Sequence, residues 1–305
     1  MDYRLHHFGI VCQDVGRSLT VYREPLTNLL TSRWYNRSLV DIAFVGCGSD
    51  GTLELVGPPH LDYEEKHVAR YGHSINHVAY LVDDADAAFE ELKAQGVEVA
   101  WEPQDVHYML SVRQCAFRDE DGLLFEVFHH ISPLPMATPD VSGPFGPTDL
   151  RLHHVSILTP DLRRGERFYA EKLGLTTVLE YTEDDGGFLF MIDPYFDSQS
   201  HNLMLELIGP PYLEPREEVL LDKYGACYDH LCYVADDVKG AWRAAVERGG
   251  KADDEPRYYD EYGMTLGWLK DADGVDVEIL EPVSDEMIKE ALQGGRAINI
   301  AQARS

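Results

Sequence analysis

The sequence predicts an α+β protein built from four βαβββ units, paired into two domains with mixed β-sheets. Three observations lead to this fold class. Segments that carry a histidine or a glutamate in the first half recur in the second half, at an offset of 147 to 153 residues. In each half, a strand-like pattern is followed by an amphipathic helix and then by further strand patterns. A proline-rich stretch separates the halves, and a near-constant offset across separate segments indicates a duplicated domain.

Each predicted unit opens with a short strand, and an aspartate begins the helix that follows it. The first unit has its strand at Leu5–Cys12 and its helix after Asp14, because aspartate is a favoured N-cap residue. The second strand covers residues 75–82. The third and fourth units repeat this order, with helices that begin at Asp161 and Asp237. About three strands are expected after each helix, separated by turns.

Proline content and periodicity set the predicted domain limits. Residues 131–150 hold five of the sixteen prolines and show no hydrophobic periodicity, which is typical of a linker. The predicted organisation is a first domain at residues 1–132, a linker at 133–150, a second domain at 151–283, and a C-terminal helix and tail at 284–305.

The composition is typical of a soluble globular protein. The chain has 305 residues, of which 44% are hydrophobic and 26% charged, and its formal net charge is −28. This charge repels nucleic acid and anionic membranes, so neither is expected as a partner. The sequence contains no apolar run of the ~20 residues that a membrane helix needs and no secretory signal. We therefore expect a cytoplasmic location.

The alternation of strand side chains selects one histidine from each histidine pair. In the first strand, His7 and Gly9 share one face, whereas His6 lies among apolar neighbours on the other. The apolar face is expected to pack into the core, which makes His7 the candidate for a cavity. The same reasoning selects His154 over His153.

Four glutamates lie in apolar strand sequence, where a carboxylate is costly to bury unless a metal or a partner neutralises it. A single strand histidine is more often a core residue, and a single strand glutamate is more often exposed. Eight positions that keep one pattern favour metal ligands. Two imidazoles and two carboxylates suit a divalent ion such as Zn, Ni, Co, Mn or Fe(II). The predicted ligand sets are His7, Glu54, His77 and Glu126 in the first domain, and His154, Glu206, His230 and Glu278 in the second.

Strings that carry these residues, together with a neighbouring helix string, resemble the vicinal oxygen chelate superfamily. They include LHHFGIVCQDV, LHHVSILTPDL, FYAEKLGL, LELVGPP, LELIGPP and DGLLFEVF. That superfamily contains glyoxalase I, methylmalonyl-CoA epimerase, extradiol dioxygenases and drug-sequestering proteins. The resemblance covers roughly residues 4–130 and 151–283. It implies cupped mixed sheets around a divalent metal ion, and it leaves the reaction open.

The filled ligand sets favour a metal-dependent epimerase or isomerase that removes a proton α to the carbonyl of a small hydroxy-ketone, through an enediolate. Glu126 and Glu278 are the candidate acid–base residues. The setting of Asp41 is similar to that of the second catalytic glutamate of methylmalonyl-CoA epimerase, and Phe188 stands at the matching place in the second domain. Equal competence of the two domains is therefore not expected. Tandem-domain relatives include epimerases of cyclitol ketones of the 2-epi-5-epi-valiolone type.

Three alternatives stay open. An Fe(II)-dependent extradiol-type dioxygenase would use two histidines and one carboxylate. In that class a further histidine precedes the last glutamate; the region before Glu278 has none, and His107, before Glu126, is interpreted as a loop residue. A glyoxalase-type lyase and a non-enzymatic, drug-binding resistance protein are the other two. Either a monomer or a homodimer is expected, with a small-molecule substrate.

Overall fold

The computed structural model describes most of the chain. The described ranges are residues 1–23, 25–26, 29–36, 40–46, 51–106, 111–131, 150–183, 186–195, 203–211, 213–260 and 263–300. The predicted linker, apart from residue 150, and His107, which was interpreted as a loop residue, lie outside these ranges.

Each half of the chain forms one mixed β-sheet with its helices. The elements of the first half are β1 (Arg4–Val11), α1 (Val15–Arg23), β2 (Leu29–Asn36), β3 (Val40–Gly46), β4 (Thr52–Gly57), α2 (Asp62–Tyr71), β5 (Ile75–Leu81), α3 (Ala85–Ala94), β6 (Glu98–Val106), β7 (Val112–Arg118) and β8 (Leu124–His130). The elements of the second half are β9 (Arg151–Leu158), α4 (Leu162–Leu173), β10 (Thr176–Glu183), β11 (Gly186–Ile192), β12 (Met204–Gly209), α5 (Pro215–Tyr224), β13 (Cys227–Val234), α6 (Val238–Glu247), β14 (Lys251–Tyr259), β15 (Met264–Lys270), β16 (Asp276–Leu280), α7 (Asp285–Gly294) and β17 (Ile298–Asn299).

The strand order joins two βαβββ units within each sheet. The first sheet runs β2-β3-β4-β1-β5-β8-β7-β6, and the second runs β14-β15-β16-β13-β9-β12-β11-β10-β17. In the first sheet β1 is parallel to β4, β5 is parallel to β8, and β1 and β5 pair antiparallel at the middle. The same pairings hold β9, β12, β13 and β16 together in the second. The predicted α+β class with four βαβββ units is confirmed.

Aspartate caps begin the helices as predicted. The Asp84 side chain accepts hydrogen bonds from the backbone of Asp86 and Ala87 ahead of α3, and Asp161 accepts one from Arg164 ahead of α4. Such caps satisfy N–H groups that have no partner inside the helix. None of the described helices is long and apolar enough to cross a membrane.

Helices α2 and α5 were not predicted, because their apolar residues form no regular stripe in the sequence and are at most partly buried, as Leu220 and Leu221 of α5 are. The one buried residue that each contains is a glutamate, Glu64 in α2 and Glu217 in α5. Both glutamates close a capping box at the third helical position. Glu64 Oε2 accepts from the Leu61 N–H at 2.5 Å, and Glu217 Oε2 accepts from the Glu214 N–H at 2.8 Å.

One apolar core spans both halves of the chain. We call the face of each sheet that packs into this core the inner face, and the opposite one the outer face. Leu5 and Phe8 of β1 lie in the same cluster of buried side chains as Leu152 and Val155 of β9. Helices α1, α3, α4 and α6 also contribute to it. The two sheets therefore pack with their inner faces toward each other, and the two domains share their main source of apolar burial.

In each domain, one buried tyrosine donates a hydrogen bond to an aspartate beside a turn of the other domain. Tyr22 of α1 donates its hydroxyl to Asp271 at 3.0 Å, before the β15–β16 turn, and Tyr169 of α4 donates to Asp119 at 2.8 Å, before the β7–β8 turn. Each aspartate also accepts backbone N–H groups of its own turn, including that of Leu123 at 2.8 Å in the first domain. The contacts are related by the internal duplication.

The C-terminal segment covers part of the outer face of the second sheet. The predicted amphipathic helix is α7, which begins at the N-cap Ser284. Ile288 and Ala291 are buried against outer-face side chains that include Phe190 and Met204. Strand β17 then pairs with β10 as a ninth strand.

Candidate metal centres

The eight predicted ligands lie on the central strands, one on each. Strands β1, β4, β5 and β8 carry the first set, and β9, β12, β13 and β16 carry the second. On β4, Leu53 and Leu55 flank Glu54 and pack into the shared core. Because side chains alternate along a strand, Glu54 faces outward. The same alternation places both sets on the outer faces.

The first set brings four donor atoms close together. His7 Nε2 lies 3.4 Å from His77 Nε2. Glu54 Oε2 lies 3.5 Å from His7 Nε2 and 3.2 Å from His77 Nε2. Glu126 Oε2 lies 3.8 Å from His77 Nε2. Gly9 makes this possible, since a Cβ at that position would lie 2.0 Å from the imidazole Cε1 of His77.

The second set repeats this arrangement more evenly. His154 Nε2 and His230 Nε2 are 3.3 Å apart. Glu206 Oε2 lies 3.3 Å from the first of these nitrogens and 3.4 Å from the second. The corresponding distances for Glu278 Oε2 are 3.7 and 3.6 Å. All four side chains are buried.

These donor sets fit a divalent ion. Bonds of 2.0–2.2 Å in a tetrahedral arrangement separate neighbouring donors by about 3.4 Å, close to the observed distances. Glu206 Oε2 is moreover buried, and the described residues give it no hydrogen-bond partner. An unsatisfied carboxylate oxygen in the protein interior is costly. A cation held between the four donors removes that cost.

Electrostatics in the second set also favour a positive charge at its centre. Burial lowers the pKa of His154 to about 3. Burial also acts on His230, but hydrogen bonds to Asp229 and Glu278 outweigh it and raise the pKa of His230 well above its ordinary value. One imidazole is therefore neutral, and the other holds a proton among the carboxylates.

A β-bulge corrects the expectation for His6. Leu5 pairs with Tyr80 and His7 with Ala79, so His6 is an extra residue in β1. The bulge turns His6 to the outer face, and its Nδ1 lies 3.0 Å from His7 Nδ1. The expectation of core packing was wrong, because period-two alternation does not hold across a bulge.

The same bulge recurs in β9. Leu152 pairs with Tyr233 and His154 with Cys232, which leaves His153 as the extra residue. His153 Nδ1 lies 2.8 Å from His154 Nδ1. In both centres, therefore, the bulged histidine (His6 or His153) contacts Nδ1 of the candidate ligand that follows it, on the side of the ring away from Nε2.

His77 and His230, the ligand candidates on β5 and β13, have different hydrogen-bond partners in the two centres. His77 Nδ1 lies 3.1 Å from the amide oxygen of Asn76. His230 Nδ1 lies 2.8 Å from the carboxylate of Asp229, which itself pairs with Arg216 at 2.5 Å. An amide thus orients one imidazole and a carboxylate orients the other.

A third carboxylate lies close to each set, and the sequence analysis missed it. Glu64 and Glu217 are buried, and each lines the outer-face cavity of its own centre. Burial, followed by the charge of Asp229, raises the pKa of Glu217 to about 7. Burial likewise raises the pKa of Glu64. The internal repeat could have revealed them, because both glutamates follow a Gly-Pro-Pro motif at nearly the same distance.

Asp41 does not join the candidate centre. Its neighbour Ile42 lines the first cavity, whereas Asp41 shares its side of β3 with Ala43, which packs into the shared core. The matching of Asp41 with Phe188 is also corrected. Asp41 lies opposite Gly57, and Gly187 lies opposite Gly209 at the same place in the second sheet. Gly187 is therefore the counterpart of Asp41.

The outer-face cavities differ in size. The second centre opens into a cavity of about 420 Å³, whose walls include Phe188, Trp268, Glu217 and Glu278. The cavity beside the first centre measures about 50 Å³. As the described residues bound these two cavities, the second has room for a small organic molecule and the first does not, since such pockets usually measure about 300 Å³ or more.

Comparison with known proteins identifies relatives over the whole fold. The Glyoxalase/Bleomycin resistance protein/Dioxygenase superfamily matches residues 4–127 and 151–279. A lactoylglutathione lyase of Schizosaccharomyces pombe is 24% identical and covers 92% of this chain and 96% of its own length. A mutant 4-hydroxymandelate synthase from Streptomyces coelicolor has a TM-score of 0.66 at 15% identity, covering 96% of this chain and 99% of its own. The Mn(II)-bound glyoxalase from Novosphingobium aromaticivorans has a TM-score of 0.61 at 15% identity, covering 92% and 84%.

Proposed function

The chain belongs to the Glyoxalase/Bleomycin resistance protein/Dioxygenase superfamily, and we propose that it is an isomerase or epimerase that moves a proton α to a carbonyl. The superfamily includes glyoxalases and dioxygenases, and the similar glyoxalase from Novosphingobium aromaticivorans is bound to Mn(II). The proposed substrate is a small, uncharged hydroxy-ketone, for which a cyclitol ketone is one example.

One observation carries this proposal. Beside the four donors of the second centre, Glu217 is buried in the wall of the 420 Å³ cavity. A proton-transfer catalyst works best when its pKa lies near the working pH, and the pKa of Glu217 is raised to about 7. This side chain therefore has the properties of a general base or acid next to a candidate metal centre.

The residues of the second centre have separate proposed roles in metal binding, proton transfer and substrate enclosure. His154, Glu206, His230 and Glu278 are the proposed ligands. A divalent ion there would polarise the substrate carbonyl and stabilise the negative charge that develops on it. Glu217 and Glu278 are proposed to remove and return the α-proton, which an epimerisation needs on two faces. Phe188 and Trp268 line the cavity and give it an apolar wall.

Charge around the cavity favours an uncharged substrate. Asp253, Asp254 and Glu214 line it together with Arg257. Arg216 lies there too, but it is paired with Asp229 and Asp276. Among the described residues that line the cavity, seven are acidic and two are arginines, so an anionic tail such as that of coenzyme A would be repelled.

A second candidate is a glyoxalase-type lyase acting on a thiol adduct. The specific observation in its favour is the 24% identity to a lactoylglutathione lyase, which extends over nearly the whole of both chains. That reaction also moves a proton α to a carbonyl, so the same centre would serve. The acidic cavity favours the first candidate, because glutathione adducts are anionic.

Deuterium exchange tests the proposal. Metal-loaded protein is incubated in deuterium oxide with a panel of cyclic and linear hydroxy-ketones, and exchange at the α-carbon is followed by NMR. We expect exchange that Glu217→Gln and Glu278→Gln each reduce at least a hundredfold, while Glu218→Gln, an exposed neighbour on the same helix, leaves it unchanged. Turnover of the glutathione hemithioacetal of methylglyoxal without any ketone exchange would instead support the lyase. Dioxygen uptake with catechols would overturn both candidates.

A further inference from the structure

A further cavity of about 320 Å³ adjoins the first centre from outside, where Tyr63 lines both it and the first outer-face cavity. It is bounded by α2, by the β7–β8 turn, by the start of β5 and by Tyr228 of the second domain. Its wall carries Lys66, Arg70 and Arg118, and Glu98 is the one acidic residue among the described residues that line it. In a chain with 26 basic and 54 acidic residues, this collection of cations is unusual.

The internal duplication keeps only part of this charge in the second domain. By the repeat, the counterpart of Lys66 on α5 is the apolar Val219, whereas that of Arg70 is Lys223. The counterpart of Arg118 is Lys270, which is neutralised by Asp253 at 3.3 Å and by a second aspartate. The set of three cations around one cavity is therefore particular to the first domain.

The two guanidinium groups are held in place and keep donors to spare. Arg70 Nη2 donates to the backbone oxygen of Tyr224 at 2.7 Å, and its guanidinium lies 4.9 Å from the ring centre of Tyr71. Arg118 Nη1 donates to the backbone oxygen of Gly122 at 2.8 Å. A guanidinium has five N–H donors, so several stay available to a ligand. Arg118 Nε is 3.9 Å from Glu98, an exposed and therefore weak pair.

We propose that this cavity binds a small anion that carries a phosphate or carboxylate group on an aromatic or apolar body. The cations would hold the anionic group, since hydrogen bonds between two charged partners are the strongest in proteins. Tyr71, Tyr228 and Leu123 give the body an apolar wall. The net charge of −28 opposes approach of an anion only weakly, because salt screens distant charges beyond about 8 Å at physiological ionic strength.

Calorimetric titration of the metal-loaded protein tests this site. The probes are phenyl phosphate, phthalate and the neutral benzyl alcohol, which separate the phosphate source from the carboxylate source. We expect saturable binding of one anion, weaker at high salt, and no binding of benzyl alcohol. The double variant Lys66→Gln/Arg70→Gln should weaken binding at least tenfold, because each cation contributes a charged hydrogen bond.

The control is Lys223→Gln, which changes the counterpart of Arg70 on α5 and should leave binding unaltered. Lys66 and Arg70 are exposed, so the double variant should keep the wild-type melting temperature. Failure of both anions to bind at millimolar concentration would overturn the proposal. So would binding that the double variant and Lys223→Gln weaken equally. Neither outcome bears on the ketone exchange assay, which depends on the outer-face cavity of the second domain.

Discussion

The residues that hydrogen-bond to Nδ1 of His77 and His230 should set the metal affinities of the two centres. Exchanging these two residue types between the centres should therefore exchange the affinities. His230 is held by the carboxylate of Asp229 at 2.8 Å, and His77 by the amide of Asn76 at 3.1 Å. A carboxylate behind a ligating imidazole orients the ring and makes it a stronger donor. We therefore predict that the second centre of the wild-type protein binds a divalent ion more tightly than the first.

The size of the effect follows from the number of contacts changed. Asp229→Asn keeps the shape of the side chain but replaces one charged hydrogen bond to His230 by a neutral one. Loss of such a partner typically weakens metal binding 10- to 100-fold, or about 1.4–2.8 kcal/mol. Asn76→Asp is the reverse change and should strengthen the first centre by less than this. Arg216 pairs with Asp229, whereas its counterpart on α2 by the repeat is the uncharged Tyr63.

Competition with a chromophoric chelator, combined with elemental analysis, measures both affinities. Wild type should show two ions bound per chain with unequal dissociation constants, and Asp229→Asn should bring the two constants together. Asp276→Asn serves as the control, since it removes the other partner of Arg216 and leaves Asp229 against His230. Equal affinities in the wild type, or an Asp229→Asn variant with unchanged constants, would refute the reasoning.

Three further predictions follow. Gly9→Ala should abolish metal binding at the first centre alone, because its Cβ would overlap the His77 ring; two ions per chain by elemental analysis would contradict this. Glu217→Gln should stabilise the metal-free protein above pH 7 by up to about 3 kcal/mol, because ionising a carboxyl whose folded-state pKa is about 7 disfavours the folded state. That gain should disappear below about pH 4.5, where the carboxyl is protonated in both states. Urea unfolding at pH 4 and pH 8 measures it, with Glu218→Gln as control. Tyr169→Phe should cost about 1.5–3 kcal/mol in thermal unfolding by removing the hydroxyl bonded to Asp119, whereas the exposed Tyr258→Phe should be neutral.

The sequence predicted that the eight candidate side chains come together in two groups, because each half of the chain repeats the pattern of the other. Their role as metal ligands stays a prediction. The leucines on either side of Glu54 and Glu206 were enough to predict that each glutamate faces away from the core. The structure has both glutamates beside the predicted histidines. The βαβββ order was equally accessible, since aspartate caps and apolar periodicity are local signals.

The features that the sequence analysis missed depend on tertiary contacts or on departures from regular geometry. The bulge at His6 adds one residue to β1, and the residue types of that segment do not predict a bulge. Helix α2 buries a glutamate instead of an apolar stripe, so periodicity could not find it or place Glu64 at the first centre. The matching of Asp41 with Phe188 failed by one residue, because strand register across a loop of changed length is not readable from sequence.

The shared core explains how the two centres can differ within one duplicated fold. Both sheets bury their inner faces in a single cluster, so substitutions there affect the stability of the whole chain. The outer faces carry the candidate ligands and are independent of that core. The second domain keeps a 420 Å³ cavity, with the C-terminal helix packed beside it, whereas the first keeps a closely similar ligand set beside 50 Å³ of space. Under the proposed function, this arrangement favours the second centre for catalysis and assigns the first to stabilising its domain when a metal ion is bound.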